Sequence, residues 1–117
     1  MGDFRKLIAW RRAILLARDV YRLSEQLPPT ERFALAQQLR RAAASVSSNI
    51  AEGAGRGTER TFHGFVRIAR GSLHEVRSQI YLAIALGYLT SAAAHRTLVR
   101  ADNLGRMLSG MLRRNSQ

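Results

Sequence analysis

The chain has 117 residues, 46% of them apolar, which suits one domain with a modest core. Nineteen basic residues stand against eight acidic ones, a formal net charge of +11, and there is no cysteine. Lack of cysteine excludes disulfides and thiolate metal sites, and the charge points to a polyanionic partner, most often nucleic acid. Lys6 is the only lysine in the sequence. A GC-rich genome would account for arginine over lysine, but not for the excess of base over acid.

The first helix is predicted over residues 7–26. The opening stretch MGDFRKLIAWRRAILLA does not read as a secretory leader, because Arg11 and Arg12 interrupt its apolar region. The expected location is the cytoplasm. Two apolar lines run along this helix: Trp10, Ile14, Ala17 and Tyr21 on one, Leu16, Val20, Leu23 and Leu27 on the other. The surplus line is either a subunit contact or one edge of a wide core face. Pro28 and Pro29 stop the helix, and Thr30 is placed to cap the next one, with Glu31 favouring its positive N-terminal end.

Helix 2 is predicted over 31–52, with Leu35, Leu39, Ala42, Val46 and Ile50 spaced by threes and fours. The stretch SNIAEGAGRGTER follows from residue 48. Gly53 is expected to end helix 2 in the left-handed conformation, with Gly55 and Gly57 permitting the reversal. Thr58 is the expected cap of helix 3, predicted over 59–86, whose apolar side carries Phe62, Phe65, Val66, Ala69, Leu73, Val76, Ile80 and Ile84. Its end, residues 80–89, is apolar but far short of the about 20 residues that cross a bilayer, so no membrane partner is expected. After GYLTS, with Thr90 or Ser91 as cap, helix 4 is predicted over 92–112 and buries Leu98, Ala101, Leu104, Leu108 and Met111. Four helices with short connections make an all-α, antiparallel up-and-down four-helix bundle, a single domain over 1–117.

Several pieces of the chain carry a family resemblance: Pro29 to Glu31, Gln38, the run Asn49, Ile50, Ala51, Glu52, Gly53, then Gly71 and Ser72 with Glu75, and Gly87, Tyr88, Leu89. With them the chain resembles the four-helix bundle proteins encoded in intervening sequences of bacterial 23S rRNA genes. It is also similar to the accessory variability proteins of diversity-generating retroelements. The resemblance covers nearly the whole chain. It implies a four-helix bundle assembled into barrel-like rings of five subunits. For the retroelement branch it implies contact with nucleic acid and a reverse transcriptase; for the rRNA branch it implies no settled activity.

The glycine-rich stretch is not a phosphate loop. A P-loop needs a lysine and a preceding strand, and GAGRG has neither. No acid, base or nucleophile accompanies Glu52, so an enzyme is not expected. In the last turn of its helix Glu52 opposes the dipole and calls for a cation, with Arg56 and Arg60 in reach. Gln38, Ser45, Asn49 and Glu52 fall on one line beside the apolar stripe, a polar seam expected to fix helix pairing or subunit register. No metal or other cofactor is expected, because His63, His74 and His95 lack ligand spacing.

The basic residues give the candidate binding surface. His63, Arg67, Arg70, His74 and Arg77 lie within about 40° of one line on helix 3 and rise about 21 Å, enough to meet several phosphates. Arg11, Arg18 and Arg22 line helix 1, and Arg96, Arg100 and Arg114 line helix 4. Acids seldom interleave on these lines, which favours a phosphate-binding face over a merely solvated one. Aromatic residues are sparse there, so base stacking is not indicated. The function expected is therefore non-enzymatic binding of RNA or DNA through phosphates by a homo-oligomer, a pentamer for preference. The alternative is a scaffold for an acidic protein partner, with the arginines serving subunit contacts.

Overall fold

The computed structural model describes residues 4–114, with side chains over 5–113. Helix α1 spans Phe4–Ser24, α2 Leu35–Gly55, α3 Glu59–Ala85 and α4 Ser91–Arg114, with a short 3-10 turn at Pro29–Glu31. There is no strand among the described residues. Both α1 and α3 pack against α2 and α4, so the four helices form an elongated bundle of 44 × 23 × 18 Å.

The threes-and-fours spacing is what builds the core. Leu39, Val46 and Ile50 of α2, Phe62, Leu73 and Ile80 of α3, and Leu104 and Leu108 of α4 are fully buried. Each such side chain contributes about 1.5–3 kcal/mol relative to exposure. The two lines of α1 separate here. Leu16, Val20, Leu23 and Leu27 enter the core, whereas Ile14 and Tyr21 stay 42% and 46% exposed, with Trp10 and Ala17 half-buried.

The turns follow the sequence at two places. Thr58 Oγ1 accepts from the Thr61 amide at 3.2 Å, and Thr90 Oγ1 from the Ala93 amide at 3.0 Å, which starts α3 and α4. At the end of α3, Gly87 has φ 78°, and the amides of Gly87 and Tyr88 return to the carbonyls of Ile84 and Ala83. This is a Schellman closure.

Two expectations about α2 are corrected. It begins at Leu35, not at residue 31, and Thr30 makes no capping bond. Glu31 serves instead: its Oε1 accepts from the Leu35 amide at 3.2 Å, and its Oε2 accepts from the Tyr88 hydroxyl at 3.1 Å. The bond to Glu31, with desolvation and the carboxylate charge adding to it, raises the Tyr88 phenol above its ordinary pKa.

Nor does Gly53 end the helix. It is buried and helical, α2 continues to Gly55, and the left-handed residue of the bend is Gly57 with φ 87°. Gly53 is required for proximity: a Cβ there would stand 2.7 Å from Phe65 Cβ and 3.3 Å from the Phe62 carbonyl oxygen. The missing side chain lets α2 and α3 approach closely where they leave the bend.

Candidate functional site

Along its length α3 has two unlike seams. The seam with α2 holds a hydrogen-bonded polar cluster, with one cation and one carboxylate, Arg41 and Glu75, beside it. Ser45 Oγ and Ser72 Oγ are 2.8 Å apart, and Asn49 Nδ2 donates to Ser45 O at 2.8 Å and to Ser45 Oγ at 3.0 Å. Gln38 lines the same shallow cleft with Arg41, Glu75 and Gln79. Of the polar line read from the sequence, Ser45 reaches across to Ser72 of α3, whereas Asn49 bonds back to Ser45 within α2. Glu52 stands at its edge, pairing with Arg56 at 2.9 Å while the two side chains remain 51% and 56% exposed. The cation that Glu52 calls for is Arg56, on the surface.

The seam with α4 is open and basic. Arg70, His74 and Arg77 of α3 face Asp102, Gly105, Arg106, Ser109 and Arg113 of α4 across a groove of about 510 Å³. Asp102 is the one carboxylate there. It takes Arg77, whose Nε lies 3.0 Å from Asp102 Oδ1 as an ion pair without an aligned N–H. Arg70 Nη1 makes only a long contact of 3.4 Å to Ser109 Oγ. Arg106 donates to Asn103, and the Arg113 side chain is exposed. Several guanidinium groups thus share one groove with a single acid, and each retains donors for an anion. An anion placed among them would relieve their mutual repulsion.

A second cleft of about 670 Å³ lies between α1 and α4, lined by Arg12, Leu15, Arg100, Asn103, Arg106 and Met107. Arg106 lines both clefts, so they meet along α4. Arg100 is held by Asp19, with Nη1 3.1 Å from Oδ2 but not aligned for a hydrogen bond. Arg18 reaches the other oxygen of Asp19 at 3.4 Å.

The structure sorts the residues picked from the sequence. Arg70, His74 and Arg77 come together in the α3–α4 groove. Arg67 is exposed but outside the groove lining. His63 leaves the row: it is only 9% exposed, with Nε2 3.8 Å from Glu59 Oε2, in a cluster where Lys6 Nζ binds Glu59 Oε1 at 2.6 Å and sits 4.2 Å over the Phe62 ring. Burial removes His63 from the phosphate-facing set. Arg11, Arg18 and Arg22 are exposed on α1 but line neither cleft; Arg12 does. The Arg114 side chain lies outside the described residues. Arg106 and Arg113 were missed, although their spacing of seven places them on one face of α4.

Among the described residues, no group of three or more His, Cys, Asp or Glu side chains is placed to hold a metal, and no helix is long and apolar enough to cross a membrane.

Comparison with known proteins agrees with this architecture. A crystal structure of a protein of unknown function from the S23 ribosomal protein family of Bacteroides thetaiotaomicron superimposes with a TM-score of 0.85. At 17% identity it covers 94% of this chain and 99% of its own, a likeness of fold. No curated protein sequence matches the chain. The pattern of the 23S rRNA-intervening sequence proteins matches residues 5–110, and the chain belongs to that family.

Proposed function

We propose that this member of the family is a non-enzymatic protein that binds nucleic acid through its phosphates, along the α3–α4 groove. The observation that carries the reading is the gathering of Arg70, Arg77, Arg106 and Arg113 with His74 around a single carboxylate, Asp102. Arginine forks suit phosphate oxygens, and binding of this kind displaces counterions without reading bases. The family name ties these proteins to intervening sequences of 23S rRNA, which makes RNA of that origin the first ligand to test. An accessory role beside a reverse transcriptase is a further candidate, drawn from the sequence resemblance to retroelement proteins.

The second part of the proposal is assembly in the cytoplasm into a homo-oligomer, a ring of five for preference. The half-open line on α1 supports it: Ile14 and Tyr21 stay exposed, beside Trp10 and Ala17 that pack only partly on the core. A ring repeats the arginine groove and multiplies its contacts with one polyanion. The competing reading, a scaffold for an acidic protein, uses the same arginines.

Titration of the purified protein with RNA and with DNA at two salt concentrations tests the first part. The expected result is binding of both at low salt and a steep loss at high salt. Absence of binding at low salt would favour the acidic-protein reading. Light scattering tests the second part, with a monodisperse monomer at micromolar concentration as the refuting result.

A further inference from the structure

The α1–α4 cleft differs from its neighbour in having an apolar floor. Leu15 and Met107 sit among Arg12, Arg100, Arg106 and Asn103, and Leu15 remains 41% exposed. At about 670 Å³ the cleft falls within the volume range of small-ligand sites, about 300–1,000 Å³. A phosphate gains nothing from a leucine and a thioether. A flat apolar ring that carries a phosphate beside it uses both kinds of lining.

We infer that this cleft seats one unpaired nucleobase, with its face against Leu15 and Met107 and its adjoining phosphate on Arg106. The inference rests on the nucleic-acid reading above and narrows the ligand to nucleotides whose bases are not paired. Each side chain has a distinct part. Arg12 Nη1 lies 3.7 Å from Met107 Sδ, so its guanidinium rests on the floor in the empty cleft and must swing off Met107 to cover the second face of a planar ring. Arg100 is tied to Asp19, whose side chain is only 10% exposed, so the cleft has a fixed cationic wall and the carboxylate is screened from the ligand. Asn103 accepts from Arg106 through Oδ1, and its NH₂ has no partner among the described residues, leaving it to donate to a ring nitrogen or carbonyl. Since Arg106 lines both clefts, a strand with its base here carries its next phosphates toward Arg70 and Arg113. A duplex keeps its bases stacked and paired, and cannot fill the floor without extruding one. The few aromatic side chains near the basic rows are no obstacle, because guanidinium planes and apolar side chains replace them.

The test uses the full chain with a single-stranded oligonucleotide containing 2-aminopurine, the same strand annealed to its complement, and a free nucleoside monophosphate. 2-Aminopurine is quenched by stacking in a strand. Binding is expected to brighten it in the single strand but not in the duplex, and the single strand is expected to bind more tightly. Leu15→Ala is expected to abolish the brightening and weaken single-strand binding about fivefold, the low end of the loss found when a base loses an aromatic platform. Duplex affinity, set by phosphates, stays as in the parent. Displacement of the strand by the free nucleotide would support a site open to single nucleotides; lack of displacement alongside brightening would support a site that works on a base within a strand. Equal binding of single strand and duplex with no change in fluorescence would overturn the base seat and leave the phosphate groove standing. Binding to neither would remove both. Should Leu15→Ala fail to fold, the fluorescence of the parent complex decides alone.

Discussion

The two seams of α3 are made from the same helix and have opposite characters. Toward α2 the helices meet through Gly53 against Phe62 and Phe65, and through the hydroxyl pair of Ser45 and Ser72. Toward α4 the side chains are long, charged and only partly matched, with Arg77 on Asp102 and Arg70 in long contact with Ser109. Close contact and the Ser45–Ser72 hydrogen bond stabilise the first seam, although Gln79 Oε1 beside them is buried without a hydrogen-bond partner among the described residues. The second leaves guanidinium donors in reach of water, which gives up packing but holds charge ready for an anion. The contrast teaches that close packing and free cationic donors lie on different sides of one helix, so under the proposed function substitutions should separate stability from anion binding.

Gly53→Val gives the largest expected effect on folding. The side chain would overlap Phe65 and the Phe62 backbone, and overpacking of this kind costs about 1–3 kcal/mol, with more where backbone must move. Thermal melting would record a clear loss of stability. An unchanged melting temperature would mean that the close approach of α2 and α3 is absent in solution.

Ser72→Ala comes next. It removes the Ser45–Ser72 bond while Asn49 still donates to Ser45, so the expected loss is about 1 kcal/mol by denaturant unfolding. A loss several times larger would show that the polar seam acts as a unit and not as separate bonds.

The smallest effect is expected at Glu52→Ala. The carboxylate pairs with Arg56 on the surface, both half-exposed, and such pairs contribute about 0–1 kcal/mol. Unfolding curves of variant and parent should nearly superimpose. A fall of about 3 kcal/mol or more, typical of a buried pair losing one partner, would place Glu52 in a buried contact with another subunit.

Most of the fold was legible in the sequence because helix spacing and caps are local signals. The apolar stripes of α2 and α3 and the caps Thr58 and Thr90 fall where residues three and four apart dictate. Legibility failed where a distant partner decides. Gly53 looks like a helix stop until Phe65 is seen against it. The start of α2 depends on Glu31 being held by Tyr88, from the turn after α3. The α3 half of the groove could be read as a row of cations. On α4 the spacing of Arg106 and Arg113 put them on one face, but only the rotation of the helix decides that this face meets α3. For the same reason His63 joined the row on paper but is buried at the end of the bundle.

The central claim is that the α3–α4 groove binds polyanions without supporting the fold. It is tested most directly by replacing Arg70, Arg106 and Arg113 with glutamate and measuring nucleic-acid affinity across a salt series. Arg77 is left in place because it holds Asp102. Helicity is expected to survive, as glutamate is nearly as good a helix former as arginine. The account predicts binding weakened for all sequences alike, with a log–log salt slope shallower by about 2–3. A folded variant with the parent's affinity and the parent's slope would contradict it.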